Sequence, residues 1–129
     1  MSVCFLPFIY DTARGAWTLP GRASQDTDAF TLSLANANAA DLLNALGIAP
    51  EPAPEPLPIG LMSALVTRAL RRRLDKRSVA IAPVIDAQPG TMTLIRCGRR
   101  AGYVEERLGD LARLIQRSCA IGATHPGWN

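Results

Sequence analysis

The sequence predicts a fold of the α/β or α+β class: a single mixed sheet of about four to five strands with three helices packed on it. Three observations predict it. Two segments, 30–46 and 91–119, each pass from strand-like alternation into a helical stripe. The N-terminal run Val3–Tyr10 is apolar and ends in a turn signal. Residues 60–75 repeat apolar side chains at helical spacing.

The elements follow in order. Val3–Tyr10 reads as a strand, and Pro7 inside it predicts an edge or bulged strand, because proline cannot donate to a ladder. Asp11-Thr12-Ala13-Arg14-Gly15 is a turn, and Ala16–Leu19 returns as the second arm of a hairpin that Pro20-Gly21 ends. Residues 22–28 are polar and read as a loop. Phe30, Leu32 and Leu34 alternate with Thr31, Ser33 and Ala35, which is a strand with one buried face. A helix over about 39–46 follows, with Asn38 as N-cap, Asp41 in its first turn, Leu42, Leu43 and Leu46 on its apolar face, and Gly47 as its left-handed stop.

From Pro50 to Pro58 every second residue is proline. The stretch 49–58 reads as an extended, solvated surface connector inside one domain, 1–129. Met62, Val66, Leu70 and Leu74 then recur every four residues, with Leu61, Leu65 and Ala69 beside them, predicting a helix over 60–75. Residues 78–85 and 91–97 read as strands around the turn Asp86–Gly90. The last helix, about 103–119, carries Val104, Leu108, Leu111, Ile115 and Cys119 on its inner face. Glu105 and Glu106 stand near its start and Arg113 and Arg117 near its end, as the macrodipole prefers. Trp128 is expected to fold back as a short strand or to dock on the core.

The run Leu32-Ser33-Leu34-Ala35-Asn36-Ala37-Asn38, its helix and the closing Leu46-Gly47 resemble a motif of small bacterial proteins of uncharacterised function. In those proteins a strand ends in (Ser/Ala)-Asn-x-Asn and enters a helix closed by Leu-Gly. Cys97-Gly98-Arg99-Arg100-Ala101-Gly102-Tyr103, the helix after it and Trp128 are similar as well. The resemblance implies a compact one-domain protein and carries no activity with it.

Composition excludes several classes. Hydrophobic residues make up 48% and charged residues 19%, too apolar for a disordered chain. Only 5% are aromatic, so the core must be mostly aliphatic. No apolar run reaches a membrane-spanning length. Met1–Tyr10 lacks a basic flank and meets Asp11 at once, which argues against a secretory signal. Cys4, Cys97 and Cys119 offer no disulfide framework, which predicts three free thiols in a reducing cytoplasm. Residues 1–60 carry a net charge of −4 and residues 61–129 a net charge of +7. That split marks an anion-binding half or two halves that attract one another. The wealth of Ala, Leu, Arg and Pro suggests a bacterium with a GC-rich genome.

Two places are candidate sites. Asn36 and Asn38 follow one strand, and Gly98, Arg99, Arg100 and Gly102 follow another. If both strands are central and parallel, both loops open at one sheet end, where helix N-termini and arginines suit an anion or small ligand. The plainer reading is a cap, a turn former and turn glycines. The spacing from Gly98 to Gly102 is no phosphate-loop or dinucleotide fingerprint. The second candidate is the basic cluster Arg68, Arg71, Arg72, Arg73, Lys76 and Arg77, which suits a nucleic-acid backbone or an acidic protein. Its plainer reading is a solvated helix end, since consecutive helical residues point about 100° apart and no aromatic residue is interleaved for stacking.

Catalytic chemistry has little support. His125 is the single histidine, beside a proline near the end, and Cys97 is either a thiolate near a helix start or a small buried hydrophobe. No metal-ligand cluster and no cofactor motif is visible. The sequence therefore reads as a non-catalytic bacterial accessory or regulatory protein, monomer or small homo-oligomer, that binds another protein. Nucleic-acid backbone binding through 68–77 is the alternative, and an anion or ligand site at the strand-to-helix loops is the third.

Overall fold

The computed structural model describes residues 2–49, 55–73, 80, 82, 84–86, 94–96 and 101–128. A sheet of four strands with several helices packed on it places the chain in the α/β or α+β class. The strands are β1 (Ser2–Asp11), β2 (Ala16–Thr18), β3 (Leu32–Ala35) and, at the end of the chain, β6 (His125–Trp128). The β1–β2 hairpin forms as its turn residues dictate. The Asp11 carboxylate accepts the backbone N–H groups of Ala13 at 3.0 Å and Arg14 at 3.2 Å, and its carbonyl accepts that of Gly15 at 2.8 Å.

β1 is the hub of this sheet, not its edge. β2, β3 and β6 all pair with it, each antiparallel. Phe5 lies opposite both Leu32 and Trp128, so β3 and β6 occupy the two sides of the strand. Pro7 is tolerated because the β3 ladder ends at Phe5 and the β2 ladder begins at Ile9. Its single strand partner is Pro126 on β6, so the two missing donors share one rung. Both prolines are fully buried.

The region expected to be a loop over 22–28 instead contains a short helix, α1 (Gly21–Gln25), and a single 3₁₀ turn over Asp28–Phe30. Phe30 thereby leaves the strand expected to start there. Burial overrides local polarity: Ala23 and Phe30 both join the core, and the Asp26 carboxylate accepts the Ala29 N–H at 3.4 Å.

The expectation that 30–34 and 91–97 share one sheet is not met by the described strands. β4 (Val84–Asp86) and β5 (Leu94–Arg96) form a separate antiparallel ribbon, with Ile85 opposite Ile95. Pairing across a short connection costs less loop-closure entropy than joining a distant sheet. The other residues of the expected strand, 91–93 and 97, lie outside the described residues.

Three longer helices form the second layer: α2 (Asn36–Leu46), α3 (Ile59–Arg72) and α4 (Tyr103–Ala120). α2 begins three residues before the expected start, with Ala35 rather than Asn38 at its N-cap. It ends as expected. Gly47 is left-handed (φ 79°), its N–H donates to the Asn44 carbonyl and that of Ile48 to the Leu43 carbonyl, the two bonds of a Schellman motif. The helices bury Leu42, Leu46, Met62, Val66, Leu108 and Leu111 against Phe5 and Leu34. On α4 the stripe drifts with the 3.6-residue period, so Leu114 and Ser118 are buried and Cys119 is exposed rather than inward. The Ser118 hydroxyl donates to the Leu114 carbonyl at 2.6 Å, which satisfies it inside the core. Leu74, expected on the α3 stripe, lies outside the described residues.

The proline-rich segment is not simply solvated. The Leu57 N–H donates to the Pro126 carbonyl at 3.1 Å and the Ile59 N–H to the Thr124 carbonyl at 2.8 Å. Residues 56–59 therefore run as a strap along the free side of β6. Pro56 and Pro58 alternate with the two donors and have no N–H to turn outward, so the strap closes the sheet without offering fresh donors. Pro56 sits on Gly127, where an added Cβ would stand 3.0 Å from the Pro56 Cβ and Cγ and 3.2 Å from the Phe8 ring.

Two outcomes follow from these contacts. Gly127→Ala is expected to destabilise the fold by about 1–3 kcal/mol through overpacking, measured by urea unfolding. Pro56→Gly in the same chain should recover part of the loss, and equal losses in the single and double variants would disprove the contact. Gly47→Ala is expected to cost about 1–2 kcal/mol for the left-handed conformation, while Ala64→Ser on the exposed side of α3 changes little.

Candidate functional site

The structure brings together one pair of the residues singled out in the strand-to-helix loops. Asn36 opens α2 and is exposed. Asn38 lies two residues on, in the first turn, and its side-chain N–H donates to the Tyr103 hydroxyl at 3.2 Å. Gly102 is the buried, left-handed N-cap of α4 (φ 77°). The starts of α2 and α4 thus meet, but through a side-chain bond and not through two parallel strands. Arg107 lies over the Tyr103 ring at 5.4 Å and pairs with Asp110 at 3.0 Å and Glu106 at 3.2 Å. This polar string locks α2 to α4. Gly98, Arg99 and Arg100 lie outside the described residues.

The basic cluster divides. The Arg73 guanidinium pairs with Glu105 of α4 at 3.0 Å, both side chains mostly buried. The Arg68 guanidinium lies beside Gly47, 3.3 Å from where a Cβ would stand, at the electronegative end of α2. Arg71 and Arg72 are exposed in the last turn of α3. Lys76 and Arg77 lie outside the described residues. Within the described part, the arginines face three directions, as consecutive helical positions must.

The feature that sequence reasoning missed is the sheet face turned away from the core. Val3, Phe5 and their partners Leu34, Leu32 and Trp128 point to the helices and belong to the core cluster. The alternate residues Cys4, Leu6, Phe8 and Tyr10 point the other way, and none of them is in that cluster. Their cross-strand partners Ser33, Gly127, His125 and Trp17 complete the face. Tyr10 and Trp17 meet edge to face at 5.1 Å, and the Trp17 and His125 rings lie 4.8 Å apart. The His125 Nδ1 is 2.8 Å from the Thr124 hydroxyl. Tyr10 is 47% exposed and Ile9, at the same hairpin tip, 36%. Asp11 and Arg14, the charged residues of the hairpin turn, are occupied with each other at 3.7 Å. The available signal was the unbroken apolar run from Val3 to Tyr10, which makes both faces of one strand apolar although, among the described residues, the core cluster takes in only one of them.

Cys97 lies outside the described residues. Cys4 and Cys119 are free thiols. Among the described residues, no three His, Cys, Asp or Glu side chains group as metal ligands, and no helix is long and apolar enough to cross a membrane.

Compared with family models, with curated proteins and with solved structures, the chain matches none, so its function must be argued from this geometry.

Proposed function

We propose that this chain is a non-catalytic, cytoplasmic binding protein that holds an extended, proline-containing segment of a partner protein on the outer face of its sheet. One observation carries the reading: Tyr10, Trp17 and His125 form an aromatic row beside Phe8, on a face that the core cluster leaves out. Tyrosine and tryptophan supply large contact area at low entropic cost and dominate binding energy at protein interfaces. The chemistry of the occupant is suggested by the chain itself. Pro56, from its own proline-rich strap, already rests on Gly127 of this face. Aromatic surfaces of this kind suit polyproline segments, whose extended conformation is set before binding. The face carries no charge of its own between Cys4 and Tyr10, which favours an uncharged apolar stretch at the centre of the contact. Free thiols at Cys4 and Cys119 suit a reducing compartment.

Nucleic-acid backbone binding is the weaker reading. Of the described arginines in the cluster, Arg73 is engaged by Glu105 and Arg68 lies at the end of α2, which leaves Arg71 and Arg72 to face a phosphate backbone.

A peptide of five Ala-Pro repeats is the probe for the leading reading. Saturable binding is expected, reported by a fluorescence change that survives Trp128→Phe and disappears in Trp17→Phe. Tyr10→Ala should weaken it by about 2 kcal/mol, roughly thirtyfold, with the unfolding midpoint nearly unchanged because the side chain is half exposed. Equal affinity of Tyr10→Ala and the parent chain, or no saturation, would remove the proposal. A separate measurement addresses the alternative. Retention on single- and double-stranded DNA should be weak and already lost at moderate salt, and a tight complex with a steep salt slope that Arg71→Gln/Arg72→Gln flattens by about two charges would favour nucleic acid instead.

A further inference from the structure

At the end of α4 remote from the Tyr103–Asn38 contact, α1, the 3₁₀ turn and the last turn of α4 enclose an open cleft of about 350 Å³. Its volume falls near the lower end of the roughly 300–1,000 Å³ typical of small-molecule sites. Phe30 and Ile121 give it an apolar wall, flanked by Ala29 and Ala120. Arg22 from α1 and Arg117 from α4 line it from separate elements. Neither guanidinium forms an ion pair among the described residues.

The third charge in the cleft is Asp26. Its Oδ1 already accepts the Ala29 N–H, which holds the carboxylate against the 3₁₀ turn. Arg117 is not needed to satisfy the end of its own helix either. The Ser118 carbonyl accepts the N–H groups of Ile121 and Ala123, and the Cys119 carbonyl that of Gly122. Both arginines are thus available, and two cations against one carboxylate leave the cleft one positive charge in excess. An apolar wall beside a single net charge selects a monoanion with a hydrophobic body, and it disfavours a dianion that would press against Asp26.

We infer that this cleft is a binding site for a small amphipathic monocarboxylate, its carboxylate held between Arg22 and Arg117 and its hydrocarbon body against Phe30 and Ile121. The site is separate from the aromatic sheet face and does not rest on that reading. It also differs from the ligand site expected at the strand-to-helix loops, because it is formed by helix α1, which the polar run 22–28 concealed, and by the C-terminal rather than the N-terminal end of α4.

Octanoate is the probe, with octan-1-ol and inorganic phosphate as its two halves. Titrations of the full chain are followed by calorimetry and by the NMR shifts of Phe30, Ile121 and their neighbours. Octanoate is expected to saturate and to move these resonances, with octan-1-ol and phosphate each weaker by about tenfold or more, since each lacks one of the two contacts. Arg22→Gln/Arg117→Gln should lower octanoate affinity to that of octan-1-ol without shifting the unfolding midpoint, because both side chains are exposed. Arg22→Lys/Arg117→Lys keeps the charge and should retain part of the selectivity. Octan-1-ol binding as tightly as octanoate, phosphate displacing octanoate at equal concentration, shifts confined to other parts of the molecule, or full affinity in the glutamine variant would each overturn the inference.

Discussion

All the pairings of the four-stranded sheet run through β1, and the rung at Phe5 shows what this demands. Phe5 is bonded into strands on both sides, to Leu32 and to Trp128, while its ring is buried under the helices and tilts against Trp128 with centroids 5.9 Å apart. A strand held on both edges must supply donors and acceptors to two ladders, and a proline in it must fall where one ladder is missing. Pro7 does so, in the gap between the β3 and β2 pairings. The same economy governs the opposite side of β6. There the strap donates from Leu57 and Ile59 and places prolines at 56 and 58, so the sheet is finished by a chain with no N–H to offer at those positions. Gly127 is the point where these demands converge, because a Cβ there would stand 3.0 Å from Pro56 and 3.2 Å from the Phe8 ring.

The sheet divides the large side chains by face. The core side takes Phe5, with Val3, Leu32, Leu34 and Trp128, and seals them with leucines of three helices. The other side takes Phe8, Tyr10, Trp17 and His125. Aromatic residues are scarce in this chain, at 5% of its length, and Phe8, Tyr10 and Trp17 share a face outside the core cluster, which is where binding energy would be spent. Tyr10 and Trp17 are held by the tight Asp11 turn and by edge-to-face contact, which means little conformational freedom is lost when a partner docks.

The charge asymmetry between the two halves of the chain is partly resolved within its basic half. Arg73 at the end of α3 turns to Glu105 of α4, and Arg107 pairs within α4 with Asp110 and Glu106, so part of the basic excess is engaged before any partner is considered. Arg73 and Glu105 are mostly shielded from water, where a charge-assisted bond is stronger than at an open surface. Arg22 and Arg117 stand apart from these pairs, one from each half of the sequence, in a single cleft.

What the sequence by itself determined lies where neighbouring residues decide the outcome. The hairpin at Asp11–Gly15, the left-handed stop at Gly47, the span of α4 and the inward set Leu42, Leu46, Leu108, Leu111 and Ile115 all follow from short-range bonding or from helical period, and the return of Trp128 as a strand was among the two outcomes expected of it. Tertiary structure alone decided the rest. The hub role of β1 depends on β3 and β6, both distant in sequence, which a proline at position 7 argued against until the ladder gaps were known. α1 forms from a polar run because Ala23 and, just beyond it, Phe30 find a core to enter. Asn38 gives up the expected cap because Tyr103, 65 residues away, accepts its N–H. The aromatic row and the arginine cleft belong to the same class. Each joins residues that are distant along the chain, Tyr10 and Trp17 with His125, Arg22 with Arg117, and no periodicity within a segment reports which other segment will lie against it.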